Sequence, residues 1–172
     1  MSRIADFVLQ VTISGVISLS IMGFVSNLHT TTYEKAASLA MKTNLVTLAN
    51  TISADFNKIG YHASKPYVTT ADSAHFTFKA DLNSSGTADI VAYSLIDQSG
   101  LGVNRDVNGS DPIMMNLNLS ALRFSYYDAA GVPTTVAADI KSVKVMVKIS
   151  NENIMKTTTP MLFWAKTFTI NN

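Results

Sequence analysis

The sequence predicts an α+β protein: a long N-terminal helix, half membrane-spanning and half amphipathic, packed on a small antiparallel β-sheet. Three observations carry that prediction. An uncharged apolar run from Phe7 to Leu28 opens the chain. A stripe of apolar residues at helical spacing follows it, with neither Pro nor Gly before Gly60. Beyond Gly60 the apolar residues recur with a period of two, the mark of half-buried strands. The chain therefore divides into residues 1–28, 29–60 and 61–172.

The first segment reads FVLQVTISGVISLSIMGFVSNL, 22 residues without an ionisable side chain. As a helix rising ~1.5 Å per residue it spans roughly 33 Å, enough for the ~30 Å hydrocarbon core of a bilayer. Gln10, Thr12, Ser14, Ser18, Ser20, Ser26 and Asn27 interrupt its apolarity, and Gly15 and Gly23 add small sites. A lone helix in lipid gains little from such residues, whereas a helix packed on neighbours uses small side chains for close approach. Phe7, Ser14, Gly15, Ser18 and Gly23 are therefore candidate assembly residues. The competing readings are a plain single-pass anchor and a cleaved signal peptide. Against the latter, the run exceeds the ~7–15 residues of a signal h-region, and no small-x-small site closes it. Arg3 before the run places the short N-terminus in the cytoplasm and the bulk of the chain outside.

In the second segment, Met41, Leu45, Leu48, Ile52, Phe56 and Ile59 recur at steps of three and four, while Lys42, Asn44, Thr47, Asn50 and Lys58 fall off the stripe. That pattern is a helix with one apolar face, which must cover a globular domain. Gly60 stands where a C-terminal cap belongs, and Pro66 forbids continuation. With no breaker between the two segments, the prediction is one rod from Ile4 to Ile59, on the order of 80 Å long.

The third segment supplies strands. His75–Ala80 and Ile90–Leu95 are short and β-rich, separated by the turn-forming Asn83-Ser84-Ser85-Gly86. Leu122–Tyr127 alternates up to a turn at Asp128-Ala129-Ala130-Gly131. Ile140–Ile149 alternates with Lys144 and Lys148 outward, and Leu162–Ile170 closes the domain. Antiparallel hairpins with one face packed on a helix accommodate all of these.

Composition narrows the function. Thirteen Lys+Arg against twelve Asp+Glu give a net charge of +1, too balanced for a nucleic-acid binder. Charged residues are only 15% and the mean hydropathy is +0.20, an excess of apolarity concentrated in the first segment. With no cysteine there is no disulfide framework, thiolate metal site or cysteine nucleophile. His29, His62 and His75 are too scattered for most metal or triad chemistry. No phosphate loop, Gly-x-Ser-x-Gly elbow or His-Glu-x-x-His motif is present, so the reading is non-enzymatic and without a cofactor.

Three constellations invite a site. Asp81, Asn83, Ser85 and Asp89, with Gly86 at the turn, follow the oxygen spacing of a calcium loop. Ala92 stands where a calcium loop needs a bidentate Glu, which favours a solvated β-turn. The acidic run from Asn104 to Asp111 also gathers oxygens, but Arg105 argues against a cation there. Phe163, Trp164 and Phe168 offer either an exposed adhesive patch or, the favoured reading, core positions of a terminal strand.

The order of these features resembles the type IV pilin superfamily, with its minor pilins and type II secretion pseudopilins. The residues that carry the resemblance are Asp55-Phe56-Asn57-Lys58-Ile59-Gly60-Tyr61 at the helix end, then Ala80-Asp81-Leu82-Asn83, Gly86, Asp89-Ile90 and Tyr93. Leu119, Leu122, Phe124, Tyr126-Tyr127-Asp128 and Gly131 follow, with Ile140, Val143 and Val145 after them. The chain departs from that family's processing signature: no Gly precedes Phe7, and the fifth residue counted from Phe7 is Val11 rather than Glu.

The resemblance implies a structural subunit that waits in the inner membrane and then packs its N-terminal helix into a filament with like or related subunits. Such a filament lies at the cell surface or in the periplasm. In pilins a carboxylate at the fifth position pairs with a neighbour's N-terminal ammonium. If Met1 is trimmed ahead of the small Ser2, Asp6 becomes the fifth residue of this chain. Asp6 is accordingly a candidate assembly residue, the alternative being a helix N-cap or first-turn acid at the lipid–water boundary. The rival functions are a membrane-anchored extracytoplasmic binding domain that never polymerises, and a secreted β-domain with a cleaved signal.

Overall fold

A computed structural model of the chain describes residues 2–96, 102–110, 113–116, 119–150 and 161–170. Helix α1 runs from Ser2 to Phe56, and eight strands follow among the described residues. They are β1 (Val68–Ala71), β2 (His75–Ala80), β3 (Asp89–Ile96), β4 (Gly102–Val107), β5 (Ile113–Asn116), β6 (Leu119–Tyr127), β7 (Ser142–Ser150) and β8 (Met161–Thr169). The architecture is α+β, as the periodicities predict. The chain forms two compact units, Met1–Ala40 and Met41–Asn172.

The first unit is helix throughout its described length. It satisfies part of its own polarity: Thr12 donates to the Val8 carbonyl at 2.8 Å, Ser20 to Val16 at 2.9 Å and Thr30 to Ser26 at 3.1 Å. Each hydroxyl thus hides its proton against the preceding turn, which lowers the cost of carrying it into an apolar medium.

The second unit takes the last four turns of α1 as the spine of its core. Met41, Leu48, Ile52 and Phe56 are buried and Leu45 is packed against them, so the stripe read from the sequence is the face that binds the sheets. Phe56 lies at the centre, its ring within 5.2–6.4 Å of the rings of Phe76, Phe78, Tyr93, Phe124 and Phe168. Offset and edge-on pairs of this kind add to the area that large rings bury. The helix stops at Phe56 and tightens: Lys58 N–H donates to Asp55 O at 3.0 Å and Ile59 N–H to Phe56 O at 3.3 Å. Gly60, the expected cap, adopts φ 82° but donates its N–H to Lys79 O at 2.8 Å, tying the helix exit to β2 instead of closing the helix.

The described strands form a five-stranded antiparallel sheet in the order β1-β2-β3-β4-β5 and a three-stranded one in the order β6-β7-β8. Phe76 pairs with Tyr93 and Phe78 with Val91 across β2 and β3, placing one buried row toward α1. In the second sheet Val143 pairs with Phe168 and Val147 with Trp164. Two expectations change here. β7 begins at Ser142 rather than Ile140, because Ile140 is buried from the preceding turn while the Ile170 N–H donates to Lys141 O at 2.8 Å. The three terminal aromatics also divide: Phe168 is buried and Trp164 packs against the core, but Phe163 is 62% exposed because it pairs with Lys148 on the outer face.

Candidate assembly surface

Every side chain from Arg3 to Tyr33 is exposed. Phe7 is 67% exposed, and Ile4, Val8, Leu9, Val11, Ile13 and their successors through Leu28 are open on all sides of the helix. Among the described residues this is the one helix long and apolar enough to cross a membrane. A soluble monomer rarely leaves an apolar surface of this extent uncovered, which weakly suggests association with a membrane.

Ser14, Gly15, Ser18 and Gly23 all lie within this exposed segment. A Cβ added at Gly15 or Gly23 would meet nothing within 4 Å, and neither carries a positive φ. Glycine in a helix interior costs about 1 kcal/mol relative to alanine, and nothing inside the chain uses the space it leaves. Asp6 is the fifth residue of α1 and stands beyond its first turn, which holds no acidic residue. It forms no ion pair among the described residues.

The second unit contains a polar cluster that the sequence did not announce. Asp55, on the last turn of α1, is buried. Arg105 on β4 reaches it twice, Nε to Oδ2 at 2.6 Å and Nη2 to Oδ1 at 3.2 Å, and the Tyr93 hydroxyl donates to Oδ2 at 2.5 Å. Tyr93 and Arg105 are direct cross-strand partners on β3 and β4, so one register places both donors on one carboxylate. The Asp55 hydrogen bond holds the Arg105 guanidinium above its ordinary range, and burial followed by the Asp55 charge pushes the Tyr93 phenol well up. A fully satisfied charge pair of this kind fixes an arrangement more than it adds net stability. The signal was present in the helical spacing: Asp55 lies three residues after Ile52 and four before Ile59, on the core side. An acid there demands a cation.

The loop proposed for calcium is drawn together around Asp81, which is 0% exposed. Asp81 Oδ1 accepts the Ser85 N–H at 3.0 Å; Oδ2 accepts the Gly86 N–H at 2.8 Å and lies 2.9 Å from His62 Nδ1. Asn83 Oδ1 accepts the Ser85 N–H at 3.0 Å. Asp89 turns aside, accepting the Leu82 N–H at 3.1 Å and the Asn108 amide at 2.7 Å. Each carboxylate thus faces N–H donors. Burial works to raise the Asp81 carboxyl, but His62 and the Gly86 and Ser85 N–H groups outweigh it and hold it below the usual range. Among the described residues no three His, Cys, Asp or Glu side chains converge as a metal site.

The acidic run beginning at Asn104 is not a loop over its first four residues but part of β4. Its Arg105 points to Asp55, and Asp111 lies outside the described residues.

The chain matches no family model, no curated protein and no solved structure.

Proposed function

We propose that this protein is a structural subunit of a pilus-like filament, held first in the inner membrane and then assembled through its N-terminal helix with copies of itself or with related subunits. One observation carries the reading: the helix from Arg3 to Tyr33 is exposed on every side, while the same helix continues as the core spine of the β-domain. A simple anchor needs no helical continuity beyond the bilayer; a subunit that must transmit its packing to an outer domain does. The pilin-like order of motifs through the second unit and the unused space at Gly15 and Gly23 favour the same reading.

The driving force would be transfer of small and hydroxyl-bearing faces from lipid into a helix bundle, where van der Waals contact and interhelical hydrogen bonds replace lipid tails. Asp6 would gain most from a partner, because a carboxylate entering an apolar bundle is costly until it is paired.

The test is the intact mass of the chain in fibres sheared from cells. Full-length chain, starting at Met1 or Ser2, is the expected result. A full-length chain confined to membranes would replace the filament by an anchored binding domain, and loss of roughly the first thirty residues would replace both by a secreted domain.

A further inference from the structure

The start of β1, the turn before β7 and the end of β8 enclose a partly open cavity of about 380 Å³ within the second unit. Its inner wall is apolar: Val68, Ile140 and Ile170 are buried, and Tyr67 is packed against the core. Pro66, Ala137 and Ala138 also line it, together with two cations, Lys65 and Lys141; both lysines are exposed, and no acidic side chain is among the described residues that line the cavity. The Lys65 ammonium lies 5.8 Å from the centroid of the Tyr67 ring, and neither lysine joins an ion pair among the described residues.

An apolar cavity with two lysines in its lining, and no acidic side chain among the described residues of that lining, complements a molecule with an apolar body and an anionic head. A cavity of about 380 Å³ falls within the range of pockets that hold small organic molecules. We propose that this cavity binds a free organic monocarboxylate of that size, its body against Val68, Ile140 and Ile170 and its carboxylate between the ammonium groups of Lys65 and Lys141. A ring suits the cavity better than a flexible chain, because Tyr67 offers an aromatic neighbour and a rigid body loses less entropy on binding. The site is independent of the assembly helix and stands whether or not the chain polymerises.

The experiment is equilibrium dialysis of 2-naphthoate against the full chain in lipid nanodiscs, with empty nanodiscs as the baseline and the neutral 2-naphthamide run in parallel. Saturable binding of naphthoate is expected, about tenfold weaker in the Lys65→Gln/Lys141→Gln variant, whose naphthamide binding stays unchanged. Ala137→Trp, which fills the cavity, should abolish binding of both; a thermal melt accompanies it, and the exposed lysine variant decides the matter if the tryptophan unfolds the domain. Naphthamide binding as tightly as naphthoate, naphthoate binding that ignores both lysines, or no saturable binding above the nanodisc baseline would each overturn the proposal.

Discussion

Arg105 on β4 forks onto Asp55 at the end of α1, at 2.6 and 3.2 Å, and so locks the exit of the helix to an inner strand of the five-stranded sheet. Side-chain exposures of 15% for Arg105 and 9% for Asp55 mean that water contributes little to either charge. Removing one partner should therefore cost more than removing both. Asp55→Ala is expected to destabilise the domain by about 3 kcal/mol, whereas Asp55→Leu with Arg105→Leu should recover most of that loss. Chemical denaturation of the two variants and a double-mutant cycle measure the difference. Equal losses in both would show that the pair does not act as a unit.

Phe56 predicts the largest single effect in the core. Its ring touches five others from both sheets, so truncation opens a cavity that no one element can collapse to fill. Phe56→Ala should cost about 3–5 kcal/mol, while Phe163→Ala, outward on β8, should stay within about 0.5 kcal/mol. Thermal melts of the pair give the contrast directly.

Acid should loosen the Asp81 turn. The folded carboxyl sits below its ordinary value, so the unfolded chain binds its proton first as pH falls. The stabilisation is complete above the unperturbed carboxylate value of about 3.9 and is lost progressively below it, as pH falls through the lowered value. Asp72 behaves in the same sense: burial tends to raise it, but the Ala74 and His75 N–H groups outweigh that and lower it. Melting temperature followed from pH 5 downward should fall, and Asp81→Asn should flatten the fall; an unchanged slope in that variant would remove Asp81 from the account.

The two glycines of the apolar segment separate folding from assembly. Gly15→Ala should leave the chain folded and strengthen the isolated helix by about 1 kcal/mol, since its Cβ meets nothing. Gly15→Leu should leave the membrane level of the chain unaltered and reduce sheared fibre sharply, because only a neighbouring helix could clash with it. Normal fibre from Gly15→Leu would clear that face of a packing role.

Asp6→Ala addresses register. On the pairing proposal the variant accumulates in the membrane and fails to appear in fibres, and Asp6→Glu restores part of the yield. Undiminished fibre from Asp6→Ala would leave Asp6 as a boundary acid with no role in assembly.

Much of this architecture is a local property of the chain. Met41, Leu48, Ile52 and Phe56 mark a helix face because a 3.6-residue period brings them into line whatever lies opposite. His75–Ala80 and the segments that became β3, β6, β7 and β8 were legible because alternating apolar residues suit a strand with one buried face. The membrane-length run needed only its composition. What the residues alone did not reveal was decided by neighbours. Val68–Ala71 and Gly102–Val107 hold Thr, Asn, Arg and Asp and have no clear period; they are strands because β2 and β3 offer them hydrogen-bonding edges. The partner of Asp55 lies fifty residues away and becomes visible only when the β3–β4 register sets Arg105 beside Tyr93. Phe163 and Trp164, adjacent and both aromatic, part company because pairing with Lys148 and Val147 sends them to opposite faces. Periodicity resides in the sequence; strand register, charge pairing and the division into two sheets come from contacts between segments far apart in the chain, where burial and hydrogen bonding choose among locally equivalent conformations.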